Sequence, residues 1–431
     1  MALPLFFLSF MKNPSSAPGL FVIHNINSRS ALEQNTYNKC PVCGYPLTAD
    51  TAVCPRCGND ILEDISSLDQ QSIEVHHQNI EEKKAAWYTR SLAEKLNCSP
   101  DLPAGPSIET LHHDPKGHHY CLDEEIEHLR TVTRSELLKE SSARKKWWNT
   151  MTEEWQEIVR TTLKVTREPS DHELLAFLDT THLRCDNRRI HDLLPVRVLE
   201  KLQQLRCDES PVENLDPVAQ LEKLQRLYAF DCNFSSLEPL RNLKSLKLLW
   251  ISSTQITSLE PISNLLSLEE LYCSETQIDT LLPLQKLTNL EKLSCYSTPI
   301  SSLEPLRQLE NLIELGINNS FIADLSPLEA LDNLEYLRCS KTAVESVEPL
   351  RSLPGLRELS LSCTPLLTID ALEELPWLEE LDIANTMVSS IGPLMHLEHL
   401  EKLELSAGSI PREELERFIE LHPSCEVLLR K

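Results

Sequence analysis

Four cysteines in the stretch CPVCGYPLTADTAVCPRCG, Cys40 to Gly58, carry the most specific chemistry in the sequence. They form two Cys-Pro-x-Cys-Gly knuckles, Cys40/Cys43 and Cys54/Cys57, separated by ten residues. Tetrahedral Zn²⁺ takes four thiolates, and each knuckle turn aims two sulfurs at one point. Glycine after the second cysteine of each knuckle lets the backbone turn towards those sulfurs. Cys40, Cys43, Cys54 and Cys57 therefore predict a bound Zn²⁺, against the competing readings of disulfides or unligated thiols. A closed four-thiolate site leaves no open position for substrate, so the predicted ion is structural.

This module resembles the short zinc ribbons common at the N-termini of bacterial proteins. Such ribbons bind nucleic acid in some proteins, which gives an alternative function. The knuckles here lack a basic and aromatic surround, with only Lys39, Tyr45 and Arg56 near.

A looser group of ligand types follows in LHHDPKGHHYC, Leu111 to Cys121. His112, His113, His118, His119 and Cys121 match no known metal spacing, and a solvated loop is the favoured reading. No nucleophile is paired with a base there at a recognisable spacing, which argues against catalysis. Glycine is scarce, at 9 residues in 431, and no nucleotide-binding fingerprint, Gly-x-Ser-x-Gly elbow or His-Glu-x-x-His is present. The net charge of -25 repels phosphate backbones and anionic lipid, and only short basic runs such as Arg144-Lys145-Lys146 oppose it.

The apolar start MALPLFFLSF is too short to span a bilayer and has no basic residues before it. A disordered lead-in, or initiation at Met11, is favoured over a secretory signal. No other segment reads as a membrane span.

These groups must be positioned by the rest of the chain, and its dominant feature is a period. Leucine stands at 183, 205, 227, 249, 271, 293, 315, 337, 359, 381 and 403, always 22 residues apart. A second apolar residue or cysteine follows two positions on, and Ile, Val, Leu or Phe seven on. Proline stands twelve on in nine of the first ten units, Ala371 being the exception. A spacing of two predicts a short strand. The later spacing of three, as in Leu284, Leu287 and Leu290, predicts a tight 3₁₀ or helical return, which proline can open because its missing donor costs nothing there. One unit's apolar side chains cannot offset the ordering of its 22 backbones, so neighbours must stack.

The unit LEELYCSETQIDTLLPLQKLTNL, Leu268 to Leu290, resembles the 22-residue internalin-like class of leucine-rich repeats. The resemblance implies an α/β solenoid, a horseshoe with parallel strands on its concave face, over about 183–409. It also implies an N-terminal helical cap and binding on the concave face. The family usually places asparagine five residues after the strand leucine, its amide bonding the backbone of neighbouring turns. This chain has Thr254, Thr276, Thr298, Ser320, Thr342, Thr364 and Thr386 there, and Cys232 in an earlier unit. A hydroxyl has one donor where an amide has two, so a threonine ladder satisfying buried carbonyls less completely is expected.

Residues 1–39 are a disordered lead, 40–60 a zinc ribbon and 61–97 a helix with a weak coiled-coil pattern. Residues 98–146 are a polar linker. Residues 147–182 are the helical cap, with helices over 151–165 and 171–179, capping boxes at Thr150/Glu153 and Ser170/Glu173, and Trp147, Trp148 and Trp155 in its core. Residues 410–431 close the array with a helix and a short strand.

Five cysteines, Cys185, Cys207, Cys273, Cys295 and Cys339, occupy inward strand positions as small hydrophobes. That usage predicts a reducing compartment, the cytoplasm. Positions one before, one after and three after each strand leucine point outward. They bring together Tyr228, Phe230, Trp250, Tyr272 and Tyr296 in a chain that is only 5% aromatic, against a background of ordinary cross-strand packing. Exposed aromatic clusters mark interfaces, so these five predict a partner-binding surface. The expected function is a non-enzymatic scaffold or adaptor whose partner is a protein rather than nucleic acid.

Overall fold

The computed structural model describes residues 20–22 and 123–430. The four knuckle cysteines, the helix predicted over 61–97 and the His112–Cys121 group lie outside these residues. Within the predicted lead, Leu20–Val22 forms a strand, β1.

Among the described residues, five helices precede the repeats: α1 Asp123–Thr131, α2 Arg134–Lys139, α3 Ser141–Asn149, α4 Glu153–Leu163 and α5 Asp171–Phe177. Helix therefore starts well inside the segment read as a polar linker to residue 146. The apolar signal there is sparse because two of the buried positions are arginines. Arg134 donates to the carbonyls of Leu178 and Val198 and pairs with Asp179. Arg144 makes a two-pronged bond to Asp171, at 2.7 and 2.6 Å. Such bidentate pairs satisfy a buried guanidinium that would otherwise be costly.

The Ser170/Glu173 capping box is present. The box expected at Thr150 is replaced by a division of labour. The Thr150 hydroxyl turns back onto the carbonyl of Trp147 at 2.9 Å, and Thr152 accepts from the Trp155 N–H to start α4. Trp147, Trp148 and Trp155 are buried, and the Trp155 indole N–H donates to the carbonyl of Asp192, tying the cap to the first unit.

Each periodic leucine lies on a short strand, from β2 (His182–Arg184) to β12 (Lys402–Ser406). The strands are parallel and paired leucine to leucine, so every unit repeats the register of the last. After β12 the chain forms α6 (Arg412–Leu421) and β13 (Glu426–Arg430), which adds in parallel to β12, and β1 pairs antiparallel with β13. No helix among the described residues is long and apolar enough to cross a membrane.

The inter-unit hydrogen bonds run past the three-residue strand. The N–H four residues after the leucine still bonds the next unit, as Ser253 does to Ser274 at 2.8 Å and Lys341 to Ser362 at 2.8 Å. To make that bond while the chain turns inward, the residue adopts left-handed backbone. Asn187, Glu209, Asp231, Ser253, Glu275, Ser297, Asn319, Lys341, Cys363 and Asn385 all have φ of 53–59°. This is an uncommon conformation for residues with a Cβ, eased for asparagine and aspartate.

The threonine that follows satisfies a buried carbonyl, as expected, but within its own unit rather than between units. Its hydroxyl donates to the carbonyl three residues back, in its own turn: Thr254 to Ile251, Thr298 to Cys295, Thr342 to Cys339. A hydroxyl has one hydrogen to donate, and here the carbonyl of its own turn takes it. The exceptions are at the start of the array. Ser210 and Cys232 reach back to the carbonyls of Cys185 and Cys207 in the preceding unit. Inter-unit amide bonds occur elsewhere, on the returning side: Asn289, Asn311 and Asn333 donate to the carbonyls of Leu266, Thr288 and Glu310, each at 2.8 Å.

Most returns open with a hydroxyl or carboxylate turn. Ser258, Thr280, Ser302 and Asp324 each accept the N–H two residues on, and the proline-containing 3₁₀ turn follows.

Candidate functional site

The residue after each strand leucine forms one outward column across the sheet. In order it holds Arg184, Arg206, Tyr228, Trp250, Tyr272, Ser294, Gly316, Arg338, Ser360, Asp382 and Glu404. The strands are ~4.8 Å apart, which places neighbouring side chains in reach of one another.

Of the five aromatic residues singled out in the sequence, four form one packed cluster. Trp250 lies at its centre, 6.3 Å from Tyr228, 4.9 Å from Phe230 and 5.0 Å from Tyr272 between ring centroids. Arg206 extends the cluster, its guanidinium 4.9 Å from the Tyr228 ring. The four rings are half-buried, largely against one another and the backbone. Tyr296 stands apart, with no ring contact to this cluster, and is the most exposed of the five at 37%.

The phenols are polar handles at the cluster's edge. Tyr272 donates to Glu270 at 2.7 Å, and burial together with that bond raises its pKa. Burial, then the Glu275 carboxylate, raises that of Tyr296.

Beyond the aromatics the column falls to small residues. At Gly316 an added Cβ would stand 3.4 Å from the Ser294 hydroxyl, so the floor is already close-packed. Serine hydroxyls continue it: Ser274 with Ser294 at 3.0 Å, and Ser340 with Ser360 at 2.6 Å and Ser362 at 2.9 Å.

Arg338 is the one long side chain between Gly316 and Ser360 in this column. The structure clamps it between two units. Its Nη1 bonds Glu314 at 2.6 Å, and its Nε and Nη2 bond Glu358 at 2.7 and 3.0 Å. These bonds, to Glu358 first, raise its pKa, so it is permanently charged. Arg357 is held in the same way between Glu335 and Glu379. The partners lie 20 to 24 residues apart, one unit either side, and are found by laying out the sequence in rows of 22.

At the far end an open pocket of about 100 Å³ is lined by Ser360, Glu380, Asp382, Lys402 and Glu404 among others. Lys402 bonds Glu404 at 2.8 Å and faces Glu380 at 3.8 Å, and Arg430 also pairs with Glu404. No group of three or more metal-ligating side chains occurs among the described residues.

A family model of leucine-rich repeats, two copies per match, covers residues 222–264, 244–286, 266–308, 288–330 and 332–374. The solenoid is a leucine-rich repeat fold. Its structure is similar to an internalin, InlF, of Listeria monocytogenes, at 22% identity and a TM-score of 0.56, covering 64% of this chain and 87% of that one. It is also similar to a leucine-rich repeat protein of Leptospira interrogans, at 25% identity and a TM-score of 0.56, covering 61% and 69%. A third is the functional domain of InlJ from Listeria monocytogenes, described as including a cysteine ladder, at 20% identity and a TM-score of 0.52, covering 64% and 68%. No curated protein matches the chain in sequence. In this leucine-rich repeat array, cysteine lies mainly at inward strand positions. Cys185, Cys207, Cys273, Cys295 and Cys339 are buried free thiols, as is Cys232 in the turn.

Proposed function

We propose that this chain is a non-enzymatic scaffold or adaptor that binds another protein on the concave face of its leucine-rich repeats. The observation that carries the reading is the cluster of Tyr228, Phe230, Trp250 and Tyr272, which gathers four aromatic rings on one outward face. Large rigid aromatics supply contact area at low entropic cost and dominate protein interfaces. Tyr296, more exposed and one strand further on, belongs to the rim of this surface.

The knuckle cysteines Cys40, Cys43, Cys54 and Cys57 hold a structural Zn²⁺ in this reading, on the strength of their spacing. The buried free thiols of the array favour a reducing compartment, and hence the cytoplasm. A nucleic-acid partner is disfavoured by the charge of -25 and by the carboxylates that hold each arginine of the C-terminal half of the face.

Affinity capture from the native cell, with wild type and Trp250→Ala side by side, tests the reading. A partner recovered with wild type and depleted about tenfold or more with Trp250→Ala is expected. A partner retained equally by both overturns it.

A further inference from the structure

The concave face divides into two chemically different halves. Trp250 and its neighbours form the first. In the second, the basic side chains Arg338, Arg357 and Lys402 each lie between two carboxylates. Arg430 shares Glu404 with Lys402, and Asp382 stands beside them with its carboxylate on the N–H of Ala384. Each arginine clamp therefore carries one net negative charge, and no arginine or lysine in it is free to meet an anion. Between the halves, Ser294 and Gly316 leave a low saddle with no side chain longer than a hydroxymethyl in that column.

We propose that the partner is a protein segment with an apolar anchor for the Trp250 cluster, followed across the saddle by lysine or arginine residues that meet the carboxylates of the Arg338 and Arg357 clamps. This rests on the concave-face reading above and adds the partner's chemistry and spacing. The register supplies the distances. Arg338 is four strands from Trp250 and Asp382 is six, which at ~4.8 Å per strand is about 19 and 29 Å. An extended segment at ~3.3 Å per residue would place its basic residues about six to nine positions beyond the anchor. The clamps suit this partner because their arginines are already neutralised. An incoming ammonium or guanidinium meets the surplus carboxylate without first displacing a fixed cation, and an acidic segment meets only repulsion.

Random-peptide display panned on the full chain, with the Trp250→Ala chain as counter-target, tests the proposal. The expected peptides pair an apolar cluster with lysine or arginine at about that spacing, and bind more weakly as salt rises. They lose about tenfold in affinity against a Glu314→Gln/Glu358→Gln chain, in which Arg338 is left free. Glu379→Gln, on the half-exposed carboxylate of the Arg357 clamp, repeats the measurement with a smaller loss if the double variant folds poorly.

Peptides that require Trp250 but carry no excess of basic residues, or that bind the carboxamide variants unchanged, overturn the proposal and leave the concave-face reading standing. Peptides indifferent to Trp250→Ala overturn that reading itself. Recovery of no peptide above the counter-target counts against both.

Discussion

The Thr276 hydroxyl donates at 2.7 Å to the carbonyl of Cys273, three residues back in the same turn, and both residues are buried. A buried carbonyl has no water to replace that donor. Thr276→Val keeps the shape and removes the bond, so it is expected to cost about 1–3 kcal/mol. Thr257→Val, at an exposed position in the preceding unit, should stay within about 0.5 kcal/mol. Urea unfolding midpoints of the two variants check the contrast.

Lys341 tests the left-handed column. Its φ is 56°, and its N–H must still reach Ser362. Asparagine tolerates this conformation and a β-branched side chain does not. Lys341→Asn should raise stability by a few tenths of a kcal/mol, whereas Lys341→Val should lower it by about 1–2 kcal/mol. Opposite shifts in the thermal midpoint are the expected result.

Asn311 tests the amide bonds of the returning side. Asn311→Asp leaves the size unchanged but points a carboxylate, which has no donor, at the carbonyl of Thr288. A loss of about 1 kcal/mol is expected, with faster amide exchange in the flanking returns.

Burial raises the thiol pKa of Cys273 and Cys339 from 9.0 to about 12. Above pH 9 the unfolded chain releases these protons while the folded chain keeps them, so the unfolded state binds fewer protons and stability falls as pH rises. The slope is about 1.4 kcal/mol per pH unit for each thiol between pH 9 and about 12. Replacing both by alanine should make the alkaline limb of the stability profile shallower, with buried Cys185, Cys207 and Cys295 keeping the rest of its slope. In thiol labelling at mild pH, exposed Cys363 should react well before either of them.

Metal analysis of the purified chain should find one zinc, lost in Cys40→Ser/Cys43→Ser, with the thermal unfolding of the repeats unchanged. Retention of full zinc by that variant would remove the knuckles as its site.

The inward leucines were legible because burial makes one repeated demand on side-chain type, and a 22-residue period displays it eleven times. The left-handed column was not legible. Its residues are as unlike as Glu275, Lys341 and Cys363, because the demand falls on the backbone, from hydrogen bonds to the next unit. The Thr276 hydroxyl was legible as a donor to a buried carbonyl, but not which carbonyl, since composition does not say which one lies within reach. Helices α2 and α3 were hidden by the buried arginines Arg134 and Arg144, which a hydropathy pattern counts as surface. The aromatic cluster was visible once the strand phase was known. The clamps on Arg338 needed the register as well, because both partners come from other units.

The leucine-to-leucine register makes the outward face of the sheet a ruler with fixed graduations. Removing a segment in phase with the period, such as residues 300–321, would rejoin equivalent points of adjacent units and carry Arg338 one strand nearer Trp250. Duplicating it would carry them one strand apart. Separation on this face can therefore change through loss or gain of whole units, in steps of ~4.8 Å, while each pocket, clamp and turn keeps its own geometry. Slippage at the level of the gene thus offers a route by which such an array can be refitted to a partner of different length.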